Sequence, residues 1–336
     1  MTATADALGD WIDARAAVAV ADATAPLRDT ILAQGAANAY LQDRIAELVA
    51  LLYPAWGPPP GQTWYGAYNG NTVAGDEAAR AMFGPLKLAT TYYQANKTGP
   101  GPMEAAKIEA GVVPHINIAS KNLGGDPTKF MYWVDIAAGK HDPFWTGWGK
   151  ALGALDTEML LAFDQEPDVR LVQKLVPTQM TTDYVLAYRR IHDLIAPLAP
   201  KVKWSWWVGG NLANADLIES LYPGDAYVDW IGYDPYKWAS HPPAETPIQV
   251  FRPFHDWLAT RTWGQGKPRY LAETGIDRSF GDDACALWWS QVPDAARQLD
   301  LAAVVFFHSQ QWTVTGMPKT VAAVKAAFRT TNRSQA

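Results

Sequence analysis

Eight short apolar runs, rich in β-branched and aromatic residues, recur along the chain: Thr63–Tyr68, Leu86–Tyr92, Val112–Ile118, Met159–Phe163, Val202–Trp207, Tyr227–Tyr233, Arg269–Ala272 and Ala302–Phe307. Such runs predict strands. Helical patterns lie between them. In Asp183–Leu198 the apolar Tyr184, Ala187, Tyr188, Ile191 and Ile195 fall at helical spacing, and Ala284–Leu299 is a second example. Strand and helix alternating eight times over about 270 residues match the count and size of a (β/α)8 TIM barrel. A doubly wound sheet is the competing architecture, but no Gly-x-Gly-x-x-Gly follows the first run and no phosphate-binding Gly-x-x-x-x-Gly-Lys-Ser/Thr occurs.

The barrel is expected over residues 61–328, with 329–336 as a tail. Ahead of it, residues 1–53 predict a helical segment of different character. Leu27, Ile31, Gln34, Asn38, Leu41, Ile45, Leu48 and Leu52 alternate spacings of four and three, the narrow stripe of a coiled coil. This seam suits a homo-oligomer, a dimer or trimer. The alternative is a single helix docked on the barrel with Gln34 and Asn38 facing water. Pro54 ends the stripe, and with Pro58, Pro59 and Pro60 it makes residues 54–60 a stiff linker.

The start, MTATADALGDWIDARAAVAV, carries acidic residues where a signal peptide would be basic, so no export signal is expected and the chain is made in the cytoplasm. No run of about 18 apolar residues predicts a membrane span. A net charge of −6 argues against nucleic acid, whose phosphates need surplus Lys and Arg. Cys285 alone forms no internal disulfide, and the six His make no His-x-His or His-Glu-x-x-His pattern, so neither metal nor cofactor is expected. Trp is abundant, at 16 against 10 Phe. That excess suits either a core or a cleft whose indoles stack on sugar rings.

In a (β/α)8 barrel the chemistry gathers where strands end. Those positions hold Tyr68-Asn69, Tyr92-Tyr93-Gln94, Asn117 with Ser120-Lys121, Asp164-Gln165-Glu166, Trp206-Trp207, Asp234-Pro235-Tyr236, Glu273-Thr274-Gly275 and His308-Ser309-Gln310, with Trp312 close behind. Glu166 after strand four and Glu273 after strand seven face one another across the ring. Two Glu so placed suit double-displacement glycoside hydrolysis, one as nucleophile and one as acid and base. Trp206, Trp207 and Trp312 are candidate sugar platforms; because adjacent strand residues point to opposite faces, at most one of the first two faces the cleft. His308 is a candidate rim contact. Asn117, Lys121 and Tyr68 are candidate binders of sugar hydroxyls.

LLAFDQEPD resembles the strand-four acid motif of clan A glycoside hydrolases, and YLAETG resembles their strand-seven nucleophile motif. LYPGDAYVDWIGYDPY resembles the segment leading into the Asp-x-Tyr of glycoside hydrolase family 26, best known for endo-β-1,4-mannanases. The resemblance implies Glu166 as acid/base and Glu273 as nucleophile. It implies that Tyr236 holds Glu273 and that Asp234 orients neighbouring groups. Gln165 stands where the mannanases carry His, and PDVRLVQKLVPTQ replaces their aromatic-rich stretch, so the polysaccharide implied is mannan-like in chemistry but not fixed as mannan. A heptad arm on a glycosidase suits a phage tail subunit that opens a bacterial envelope glycan, with other virion subunits as partners. The competing reading is a tail barrel that holds glycan without cutting it.

Overall fold

The computed structural model describes residues 56–59, 61–175 and 179–329. The heptad at 27–52 and residues 330–336 lie outside them. The strands are β1 (Trp64–Tyr68), β2 (Leu88–Gln94), β3 (Val113–Ala119), β4 (Met159–Phe163), β5 (Val202–Val208), β6 (Trp230–Tyr233), β7 (Tyr236–Lys237), β8 (Arg269–Ile276) and β9 (Ala303–Phe307). Each is parallel to its neighbours. β1 pairs with both β2 and β9, and β6 pairs with β8, so eight strands close into a ring, while the two-residue β7 adds to β8 at the rim. This is the (β/α)8 TIM barrel that the eight runs predict.

Strands covered on both faces are continuous apolar runs, as in the fully buried MLLAF of β4. Alternation divides their side chains between two compartments. Met159, Leu161, Phe163, Trp204, Trp206, Ile231, Val304 and Phe306 join the core shared with the helices. The helix Thr181–Ile195 buries Tyr184, Ala187, Tyr188, Ile191 and Ile195 there, the same residues its spacing names. Burying one aliphatic or Phe side chain of this kind contributes roughly 1.5–3 kcal/mol.

The inward residues fill the barrel in layers. At the bottom Trp64 stacks on Trp230, and Tyr270 meets the Trp230 ring edge-on. Above them runs a buried polar chain. Thr90 Oγ1 bonds His115 Nδ1 at 2.9 Å, His115 Nε2 bonds the Tyr270 hydroxyl at 2.9 Å, and that hydroxyl bonds Ser205 Oγ at 2.6 Å. Burial pushes His115 down to about 3, so the ring is neutral. Inner positions also explain two glycines. A Cβ on Gly66 would lie 2.5 Å from the Leu88 carbonyl oxygen, and one on Gly232 would lie 2.8 Å from the Tyr270 ring.

Two strands depart from their sequence runs by three residues or more. The sixth strand begins at Trp230, because Asp225–Tyr227 forms a 3-10 turn after Gly224, whose φ is 104°. The seventh run extends to Ile276, so Glu273 lies inside β8 and not after it. Among the described residues no helix is long and apolar enough to cross a membrane.

Candidate active site

A cleft of about 850 Å³ opens at the carboxyl ends of the strands, lined among others by Tyr68, Asn117, Gln165, Glu166, Asp234, Tyr236, Glu273 and Trp312. These eight come from seven different strands or the loops that follow them. Glu273 reaches the mouth through a backbone irregularity. Tyr270 and Ala272 point inward, so plain alternation would send residue 273 outward. The pairing of β8 with β9 shifts register between Leu271 and Thr274. A bulge of this kind re-aims a side chain.

Once inside, Glu273 is held from both sides. The Tyr92 hydroxyl donates to Oε1 at 2.5 Å and the Tyr236 hydroxyl to Oε2 at 2.5 Å. Tyr92 is itself fixed by Asn71, whose amide accepts from the Tyr92 N–H at 3.1 Å and donates to its carbonyl at 2.9 Å. Tyr236 lies flat on Trp312, with centroids 4.3 Å apart. Gly275 permits that packing, since a Cβ there would stand 3.2 Å from Trp312.

Glu166 is placed by a strained turn. Its φ of 54° and the 44° of Asp164 put two non-glycine residues in the left-handed region, which costs on the order of 1–3 kcal/mol each and persists only where the surroundings enforce it. The enforcing bonds are visible. The Glu166 N–H donates to the Trp207 carbonyl at 2.9 Å, and Asp168 accepts from the N–H groups of Gly209 and Gly210 at 2.9 and 3.2 Å. Asn117 pairs with Gln165 twice, accepting its backbone N–H at 2.9 Å and donating to its side-chain oxygen. Buried Arg170 donates to the Gln165 carbonyl and to its Oε1, both at 2.8 Å. The Glu166 carboxyl has the Asp234 side chain beside it. Asp234 accepts from Trp207 Nε1 at 2.5 Å through Oδ2, while its buried Oδ1 meets no donor among the described residues.

The two Glu therefore differ electrostatically. Burial pushes Glu166 up to about 8, and the charges of Glu273 and Asp168 add to that. Burial also pushes Glu273 up, but the Tyr236 and Tyr92 hydroxyls and the Arg170 charge hold it back to about 7. Asp234 is raised well above the usual carboxylate range by burial and by its two neighbours. The two tyrosine hydroxyls thus favour the ionised form of Glu273, whereas burial and like charges disfavour that of Glu166.

Three sequence candidates do not meet the cleft. Trp206 points outward and packs edge-on against Tyr222 and Trp263. Trp207 points inward as alternation allows, but it is 1% exposed, stacked on His115 beneath the cleft floor, so it supports Asp234 and offers no sugar platform. His308 turns aside to Asn69 at 2.7 Å and Thr313 at 3.1 Å. Conversely Arg170 and Trp238, absent from the sequence candidates, line the cleft, as do Phe307 and Tyr92, which the strand runs contain but to which the sequence assigns no role. Trp238 is 46% exposed at the rim, beside Trp312. For Tyr92 a signal existed, since a Tyr-Tyr pair at a strand end must send one ring inward. Among the described residues no group of three His, Cys, Asp or Glu is arranged to hold a metal ion.

The barrel is shared with known enzymes. It superimposes on a family 26 β-mannanase from Bacteroides ovatus with a TM-score of 0.55 and 12% identity, covering 80% of this chain and 89% of that one. An endoglucanase from Thermotoga maritima gives 0.53 and 11%, covering 78% and 96%. An exo-β-1,4-mannosidase from Opitutaceae bacterium strain TAV5 gives 0.58 and 12%, covering 81% and 60%. At these identities the likeness shows the fold. In sequence, endoglucanase H of Acetivibrio thermocellus is 28% identical over 208 residues, 58% of this chain but 23% of that protein. This chain thus spans less than a quarter of that relative's length. No protein-family model matches the chain.

Proposed function

We propose that the chain is an endo-acting glycoside hydrolase that cuts a mannan- or glucan-like polysaccharide by double displacement with retention. The observation that carries this reading is the unequal treatment of two Glu in one cleft, Glu273 buried and Glu166 half-buried. Glu273 receives two hydroxyl donors that favour its ionised form, and Glu166 receives surroundings that keep its proton on. The names of the barrel's structural relatives, mannanase, mannosidase and endoglucanase, support the same class.

In the first step an ionised Glu273 oxygen bonds to the anomeric carbon. The glycosidic C–O bond breaks, and its electron pair leaves with the oxygen, which takes the Glu166 proton. In the second step Glu166 removes a proton from water, whose oxygen displaces Glu273 from the sugar. Trp238, 46% exposed at the rim, supplies a flat apolar face on which a sugar ring stacks, and Trp312, buried against Tyr236, holds it from behind. Delivery by a phage tail, with the heptad arm as its oligomer contact, is part of the proposal and is checked by detection of the chain in purified particles.

The test is release of reducing ends from mannan, β-glucan and arabinogalactan, with the anomeric form of the first product read by NMR. Reducing ends with retained configuration are expected. Tight glycan binding with no new reducing ends would establish the receptor reading instead, and inverted product would remove the covalent step.

A further inference from the structure

Three buried aspartates surround the Glu166 turn, and the protein solvates them unequally. Asp164, fully buried, accepts from the Ser120 N–H at 2.8 Å through Oδ1 and from Trp133 Nε1 at 2.7 Å through Oδ2, with Arg170 3.9 Å away. Asp168, 1% exposed, accepts from the Gly209 and Gly210 N–H groups, one on each oxygen. Asp234, 6% exposed, is served on one side alone: Trp207 Nε1 reaches Oδ2, and buried Oδ1 has no donor among the described residues. The Glu273 N–H stands near the carboxyl without closing a bond to Oδ1. The titratable groups around Asp234 are Glu166, Glu273, Tyr92, Tyr236 and Tyr270, none of them cationic, and His115 behind Trp207 is neutral. Arg170, the cation beside the two Glu, is committed to Asp164 and Gln165. A buried carboxylate without donors on both oxygens or a cation of its own is costlier than the acid. Asp234 has the pattern of that acid: Oδ2 is the carbonyl oxygen that accepts from Trp207, and Oδ1 is a hydroxyl that needs an acceptor. An acceptor stands beside it. Trp207 ties the two groups together, since its carbonyl takes the Glu166 N–H at 2.9 Å while its indole holds Asp234, and the Glu166 carboxyl lies next to that of Asp234.

We propose that Asp234 is a neutral positioning residue, whose Oδ1–H donates to the Glu166 carboxyl throughout the reaction. Its role rests on the glycosidase reading, whereas its protonation state does not. The charges then balance at every stage. Before the first step Glu273 is ionised, and Glu166 and Asp234 are neutral. After it Glu273 is an uncharged ester, Glu166 is ionised, and Asp234 keeps its proton. The cluster carries one negative charge both times, and the Asp234 hydroxyl stabilises that charge when it sits on Glu166. Because Asp234 is the donor of the pair, the Glu166 proton stays free to face the cleft. An ionised Asp234 would instead accept that proton and draw it away from the departing oxygen.

Two variants of the full chain separate the neutral acid from an anion. Asp234→Leu keeps the shape and removes the donor. Its kcat should fall about tenfold or more with KM little changed, and the alkaline limb of its pH profile should move up, because ionised Glu166 loses a hydrogen bond. Asp234→Asn keeps the shape, an acceptor for Trp207 and a donor for Glu166, so it should recover most of that loss and return the alkaline limb to its wild-type place. An ionised Asp234 predicts the opposite sign, since either variant would remove a negative charge and move the limb down. That downward shift, no recovery in Asp234→Asn, or its failure to fold would overturn the proposal. An infrared difference spectrum between wild type and Asp234→Asn at neutral pH reads the proton without any substrate. The carbonyl band of a neutral acid is expected, and a carboxylate band in its place would overturn the protonation state. Failure of the wild type to release reducing ends from any glycan would remove the glycosidase reading and with it the role of Asp234, while the infrared band still decides where the proton lies.

Discussion

Two clusters of buried ionisable groups flank β2, one on each face, and they are built on opposite rules. On the outer face, between the helices Val73–Phe83 and Pro102–Glu109, Lys107 lies 3.5 Å from Glu104 and 3.7 Å from Asp76 and donates to Thr91, while the Tyr93 hydroxyl donates to Glu104. There two carboxyls share a cation held among them. On the inner face, one residue away along the strand, Tyr92 meets a cluster of three carboxyls, Glu166, Asp234 and Glu273. Its nearest cation, Arg170, is already hydrogen-bonded to Gln165. Charges buried for stability are compensated where they lie. Charges buried for reaction are left short of compensation, so that their protons are available.

The largest effect that could break this contrast is on rate. Glu273→Gln and Glu166→Gln should each lower hydrolysis about a thousandfold or more, while thermal unfolding changes little, because neither removes the partner of a buried cation. If either variant loses a large part of its stability, the inner cluster is structural and the contrast fails. The outer cluster should answer in reverse. Lys107→Met strands two buried carboxyls and should cost about 3–5 kcal/mol in urea unfolding, while kcat, measured on the fraction still folded, stays near that of the wild type. A loss below about 1 kcal/mol would mean that Asp76 and Glu104 are content without their cation.

How much of this was legible in the sequence follows the same division. Fully buried parallel strands are uninterrupted apolar runs, so the eightfold pattern and the barrel were readable, and so was the placement of Glu166 just after β4, whereas Glu273, expected after its strand, lies inside β8. What alternation decides was readable only as a choice. One of Trp206 and Trp207 had to point inward, but the depth that hides Trp207 under the floor depends on the His115 ring stacked against it. The bulge that turns Glu273 inward leaves no mark in YLAETG, because it is a property of the pairing between β8 and β9. Arg170 lay within the stretch that departs from the mannanase pattern. Its role appears only when the turn at Glu166 folds it back on Gln165.

The finest test compares two neighbours on opposite faces of one strand. Hydrolysis needs Glu273 ionised and Glu166 protonated, so kcat/KM should rise as pH climbs through about 7 and fall above about 8. The Tyr92 hydroxyl bonds the charged form of Glu273, so removing it raises the carboxyl further. Tyr92→Phe should therefore move the acidic limb up by about one pH unit, toward the alkaline limb, and lower the maximum about tenfold. Thr91, the next residue back, accepts from Lys107 on the outer face. Thr91→Val should leave both limbs in place and lower only the unfolding midpoint, since it touches a charge that is already balanced. Were Thr91→Val to shift the acidic limb as Tyr92→Phe does, the two clusters would be electrostatically one, and the separation of stability from reactivity across β2 would not hold.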